Sequence, residues 1–174
     1  MPITLHDAIV PTRLRTIAAM RTLVDRAERW CTEKGEPASA IIDASLADDM
    51  WAFGWQINSV WMHSAHALDA AMRGTFEPNF SDIPADFDAC RAKLDRARDG
   101  CAACDADKLE ARCDANIDFV MGGKTRMSFT GQDFLIGFSN PNFFFHATTA
   151  YDILRMKGLD IGKRDYLGAL PIKG

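Results

Sequence analysis

The chain has 174 residues, 48% of them hydrophobic, enough to enclose the core of one domain of ordinary size spanning positions 1–174. A formal net charge of −4 is carried by interspersed acids and bases with no basic stripe to neutralise phosphates, which excludes nucleic acid as an expected partner. No apolar run approaches the roughly 20 residues that cross a bilayer, and the start MPITLHDAIVPTRLR lacks the apolar centre and small-residue cleavage site of a secretory leader. The expectation is a cytoplasmic protein without membrane contact, whose five cysteines (Cys31, Cys90, Cys101, Cys104, Cys113) stay reduced.

In chain order, Thr4 stands three residues before Asp7 in a cap-like pair, and Leu14, Ile17, Val24, Ala27 and Cys31 then share one helical face. This is helix 1, ending near Gly35, with a kink or a broken first turn expected at Pro11. A short helical turn around Ala40 to Asp43 precedes Ser45, which with Asp48 reads as the cap of helix 2. That helix runs to Arg73 and stops at Gly74, its core stripe being Met50, Phe53, Ile57, Trp61, Leu68 and Met72. Pro84 suits the first position of helix 3, which extends to about Cys104. Asp107 with Glu110 offers the cap of a short helix through Arg112. IDFVM, Gly122-Gly123-Lys124 and TRMSF read as a β-hairpin around a tight glycine turn. A last helical stretch begins near Gly131 and is interrupted at Asn140 and Pro141, so that helix 4 proper is Pro141 to Lys157. The tail 159–174 has no helical period and reads as an ordered loop packed on the helices. Together these elements favour an all-α fold, a four-helix bundle with a small hairpin before the last helix.

Few residues carry chemistry. Cys101-Ala-Ala-Cys104 has the spacing of a metal clip or redox pair, yet Phe87, Cys90, Leu94, Ala97, Cys101 and Cys104 step by three and four residues, and the apolar stripe is the preferred reading. On helix 2, an advance of roughly 100° per residue places His63 off the core stripe and His66 nearly opposite to it, hence at a solvated or interface position. His146 neighbours the core line of Phe143, Ala147, Ala150 and Leu154, and an imidazole there needs hydrogen-bond partners, for which Thr149, Tyr151 and Gln56 are the candidates. Trp51, Trp55 and Met62 form a second apolar face of helix 2, explained by a cavity, a homodimer interface or a central place for this helix. Gly122-Gly123-Lys124 lacks the rest of a phosphate loop.

The run PNFFFHATTAYDILRMKG with the tail GKRDYLG, supported by LHDAIVPTRLR, DDMWAFGWQ and TGQDFLIGF, resembles an uncharacterised bacterial domain-of-unknown-function family of the DinB/YfiT-like superfamily of four-helix bundles. The resemblance implies a bundle often paired as a homodimer, with a site at one end. It also implies a divalent metal on one helix 2 histidine and an H-x-x-x-H pair of helix 4, used by some members for thiol-dependent transfer or isomerisation. Here His146 matches the first helix 4 position and Ala150 stands at the second, while His63 or His66 supplies the helix 2 position. A catalytic metal needs about three protein ligands, so the triad is incomplete and a metal is not expected at full occupancy. The leading expectation is a small-molecule site of His146, Tyr151, Thr149, Gln56 and Trp55. The rival is a metal-assisted, thiol-dependent enzyme using His63 and His146, and the third is a dimerising scaffold without a ligand.

Overall fold

A computed structural model describes residues 3–173; Met1, Pro2 and Gly174, the last counted in the expected tail, lie outside the described residues. Helix α1 (Leu5–Lys34) starts where the Thr4 hydroxyl accepts the Asp7 N–H at 3.0 Å, and it ends at Gly35, whose φ of 69° is the left-handed conformation that closes a helix. It passes unbroken through Pro11, against the expected break. The donor missing there would have met the Asp7 carbonyl, in the first turn of the helix at an exposed residue, where the loss of one bond is tolerated.

After the short α2 (Ser39–Ile42) comes an irregular segment, and the next helix begins at Phe53 rather than after Ser45. The loop satisfies its backbone in another way: the Phe53 N–H donates to the Ala44 carbonyl at 2.9 Å, and the Gln56 amide donates to the Trp51 carbonyl at 2.8 Å. Helix α3 (Phe53–Trp61) continues through a π turn, Met62–His66, into α4 (Ala67–Arg73), which Gly74 terminates. Nearly every residue from Phe53 to Ser64 is buried, so this helix is central, and Met62 belongs to the interior rather than to a second exposed face.

Helix α5 (Phe87–Ala102) begins three residues later than Pro84 suggested, because Asp86 supplies the cap by accepting the Ala89 N–H at 2.7 Å. Helix α6 (Ala106–Glu110) is likewise capped by Asp105 rather than Asp107. The hairpin forms as expected, β2 (Asn116–Met121) antiparallel to β3 (Lys124–Thr130), with Gly122 and Gly123 at φ 61° and 70° in the turn. It is part of a three-stranded sheet, since β1 (Thr75–Phe76) pairs in parallel with β2. A two-residue strand has no period to read.

The last helical run is continuous. A second π turn, Asp133–Ser139, leads directly into α7 (Asn140–Met156), so the break expected at Asn140 and Pro141 does not occur. Proline in an α-helix collides with the carbonyl four residues back. The wider π turn displaces that carbonyl, and the Asn142 amide satisfies the neighbouring Phe138 carbonyl at 2.7 Å. The tail holds a further short helix, α8 (Lys163–Leu167), pinned to α1 by Arg26, which bonds Asp165 at 2.6 Å and also the Asp160 carbonyl.

The molecule is therefore mostly helical with a small three-stranded sheet. Helix α1 packs on α5, α7 and α8, and α3 packs on α7 and α5. Phe53, Phe76, Phe134 and Phe143 are fully buried between these layers. Among the described residues no helix is long and apolar enough to cross a membrane.

Candidate functional site

Both π turns lie at one place. The turn at Met62–His66 adds a residue to its helical turn, and it includes His63, which lies in the interior with the rest of this central helix and is 5% exposed. The turn at Asp133–Ser139 ends opposite it, and the Ser139 hydroxyl donates to the His63 carbonyl at 2.9 Å. Arg13 of α1, fully buried, donates to the same hydroxyl at 3.1 Å and lies over the Phe143 ring. Arg13 makes no ion pair among the described residues, and its Nε and Nη1 are buried without a partner. Burial lowers its pKa to about 10, which leaves it charged at neutral pH.

From His63 a column of near-parallel rings runs outward. His63 and His146 are 5.8 Å apart between centroids at 11°, and His146 and Trp51 are 5.9 Å apart at 12°. The His146 Nδ1 lies 2.7 Å from the Gln56 side-chain oxygen. Because the Gln56 amide nitrogen is already committed to the Trp51 carbonyl, that oxygen can only accept, so Nδ1 carries the proton and Nε2 keeps its lone pair. Burial holds His146 well below the ordinary imidazole value, at about 4. His63 is pushed down to about 3, first by burial and then by His146 and Arg13, and its Nδ1 is a buried atom without a partner. At neutral pH both rings are uncharged bases.

The column ends in a cavity of about 200 Å³ lined by Asp49, Met50, Trp51, Gln56, Phe145 and His146. Trp55 and Phe80 cluster with Trp51: the Trp51 and Trp55 rings are 5.3 Å apart, and Phe80 stands 5.7 Å from Trp51 and 5.9 Å from Trp55. Larger depressions occur elsewhere, including one of about 410 Å³ beside α8, but none of the others is lined by these histidines.

Of the residues singled out in the sequence, Gln56, His63, His146 and Trp55 come together. Tyr151 does not: it packs edge-on against Tyr166 at 5.7 Å, and Tyr166 in turn accepts from Thr148, on the α8 side of the helix. The Thr149 hydroxyl is spent on the Phe145 carbonyl of its own helix at 2.8 Å. His66, expected at a solvated or interface position, is half-buried against Trp61 and Phe76, with Nε2 2.8 Å from the Glu77 carbonyl. Arg13, Asp49, Ser139, Phe80 and Phe145 escaped the sequence reading. Of these only Phe145 had a signal, the aromatic run Phe143–Phe144–Phe145 extending beyond the core position Phe143.

The fit of a metal can be judged from the donors present. The rings of His63 and His146 are neighbours, but they are stacked at 11° with centroids 5.8 Å apart, so their in-plane lone pairs do not converge on one ion without rotation of a ring. Among the described residues no group of three or more His, Cys, Asp or Glu side chains is placed to hold a metal, and Ala150, one turn beyond His146, is fully buried. The protein's own residues do not make a three-ligand centre. The cysteines do not supply one either: Cys90 and Cys101 are fully buried, and burial raises their thiols to about 12 and about 11, so both remain protonated.

Fold and site describe a mostly helical protein with a buried, neutral histidine pair opening on an aromatic cavity. Three solved chains match it, among them the crystal structure of a DinB family member protein from Shewanella denitrificans, 24% identical, with a TM-score of 0.83 over 98% of this chain and 95% of that one. The fold is thus DinB-like. Residues 5–167 match the family described as Domain of unknown function (DUF1993), and the chain belongs to that family. No curated protein matches it at a significant level.

Proposed function

We propose that this chain is a small-molecule-binding protein built on a DinB-like four-helix bundle, and that its ligand sits in the Trp51–His146 cavity. The observation that carries the reading is the hydrogen-bond chain Trp51–Gln56–His146. It fixes one tautomer of a neutral imidazole and leaves its lone pair unengaged among the residues lining a cavity. His63 also has an unpartnered ring nitrogen, but it is enclosed in the core, whereas His146 lies on the wall of a cavity that a ligand can enter. Such a base can accept a hydrogen bond from a ligand, or a proton if the ligand reacts.

Replacement of His146 by Ala tests this directly. In a fragment screen by protein-observed NMR, the variant should lose binding of whatever fragment contacts Trp51 while keeping the wild-type spectrum elsewhere. Loss of dispersed signals throughout would return His146 to a core role.

The rival is a metal-assisted, thiol-dependent transferase, for which the adjacency of His63 and His146 is the supporting observation, one of the two stacked rings having to turn to share an ion. It requires the remaining ligands to come from outside this set. Elemental analysis of untagged protein purified without chelator separates the two: a stoichiometric divalent metal that disappears in His146→Ala favours the rival, and metal-free protein favours the binding reading.

A further inference from the structure

We infer that the Trp51–His146 cavity is selective for a small organic cation, an alkylated ammonium group on a short chain. The inference rests on the small-molecule reading above and names the ligand class. It begins with the charges. Between positions 35 and 72 there is no Lys or Arg, while Glu36, Asp43, Asp48, Asp49 and Asp69 all occur. Positions 74–90, which carry Phe80, and 127–154, which carry Phe145 and His146, also have none. Every segment that lines the cavity or carries the adjoining rings is therefore free of cationic side chains, in a protein with 20 of them. Asp49 lines the cavity and makes no ion pair among the described residues.

The polar groups point to the same ligand. The Nδ1–H of His146 is spent on Gln56 and the Gln56 amide on the Trp51 carbonyl, so no charged donor faces an incoming molecule. What remains is the His146 lone pair, the Asp49 carboxylate and aromatic rings. Trp51 and Phe145, both lining the cavity, are 42% and 55% exposed, and Phe80 beside Trp51 is 39% exposed. Faces of aromatic rings attract cations and are neutral or repulsive toward anions. Arg13, a fully buried cation, bonds Ser139, whose hydroxyl donates to the His63 carbonyl, and it does not line the cavity. A volume of about 200 Å³ has room for a trimethylammonium head and a short substituent, but not for a nucleotide.

The test compares choline with 3,3-dimethylbutan-1-ol, the same shape with carbon in place of nitrogen. Both are titrated into the full chain at neutral pH and low salt, with the Trp indole and His ring resonances observed by NMR. Choline should bind at least about tenfold more tightly than the neutral alcohol and shift the Trp51 and His146 signals. Its advantage should shrink in Asp49→Asn and vanish in Trp51→Leu. Equal or tighter binding of the alcohol overturns the cation assignment, as does choline binding that leaves Trp51 and His146 unmoved, or no binding of either probe. If a neutral fragment binds at His146 and is lost in His146→Ala, the small-molecule reading stands without the cation preference. A fragment screen that finds nothing at this site removes both.

Discussion

At the scale of single residues, the two histidines set a pH dependence whose sign follows from burial. Their native pKa values, about 4 for His146 and about 3 for His63, lie below the ordinary 6.5 of an exposed imidazole. Between pH 6.5 and 4 the unfolded chain takes up protons that the native state refuses. The stability these groups contribute is present above about pH 6.5 and is lost as the pH falls toward their native values, at up to about 1.4 kcal/mol per pH unit for each ring. Urea unfolding at pH 7, 6 and 5 should show this decline, and His146→Gln should reduce its slope by about half, leaving the share of His63. A stability unchanged from pH 7 to 5 would mean that the rings are less buried than described. Arg13 yields a second expectation. A buried guanidinium with two unpartnered nitrogens stabilises little beyond the space it fills. Arg13→Met should therefore stay within about 1 kcal/mol of wild type, while Arg13→Ala, which leaves a void, should cost about 3 kcal/mol by denaturant titration.

At the scale of elements, the amphipathic helices and the glycine turn of the hairpin were legible in the sequence because each has a period or a fixed backbone demand. The π turns were not. An inserted residue lowers the advance from about 100° to roughly 80° per residue over one turn, and a helical wheel drawn at constant pitch then misplaces everything beyond it. The turn thus shifts His66, read as solvated or at an interface, while His63 looked peripheral because a wheel does not show that this helix is covered on every side; both pack against Phe76. His146 and Gln56 could be paired from sequence since the phase of each was counted along a regular stretch, whereas Tyr151, five residues past His146, falls on another face. Two glycines near the second π turn give a contrasting pair of mutations. A Cβ on Gly131 would lie 2.0 Å from the Arg112 carbonyl oxygen, whereas one on Gly137 meets nothing within 4 Å. Thermal unfolding should show Gly131→Ala destabilised by about 3 kcal/mol and Gly137→Ala unchanged or stabilised by up to about 1 kcal/mol.

At the scale of the whole molecule, a net charge near zero concealed a segregation. Acids and bases are mixed along α1 and α5, where Arg21, Arg91 and Arg98 pair with neighbouring carboxylates, but the segments around the cavity carry acids alone. Counting charges over the full chain could not show this; mapping them onto the fold does. The homodimer expected from Trp51, Trp55 and Met62 loses Met62 to the interior, and Trp51 lines the cavity with Trp55 beside it. A partner covering those rings would compete with a ligand. Dilution into the nanomolar range, followed by light scattering with and without choline, would reveal such competition as a shift in mass; an unchanged mass would separate assembly from binding.

The stacking of Trp51 on His146 has a practical consequence. An indole in contact with an imidazole loses excited-state energy when that ring gains a proton, so Trp51 is a built-in optical gauge of the charge on His146. The difference in emission between the wild type and Trp51→Phe, followed from pH 7 downward, would report the protonation of one chosen imidazole without any label.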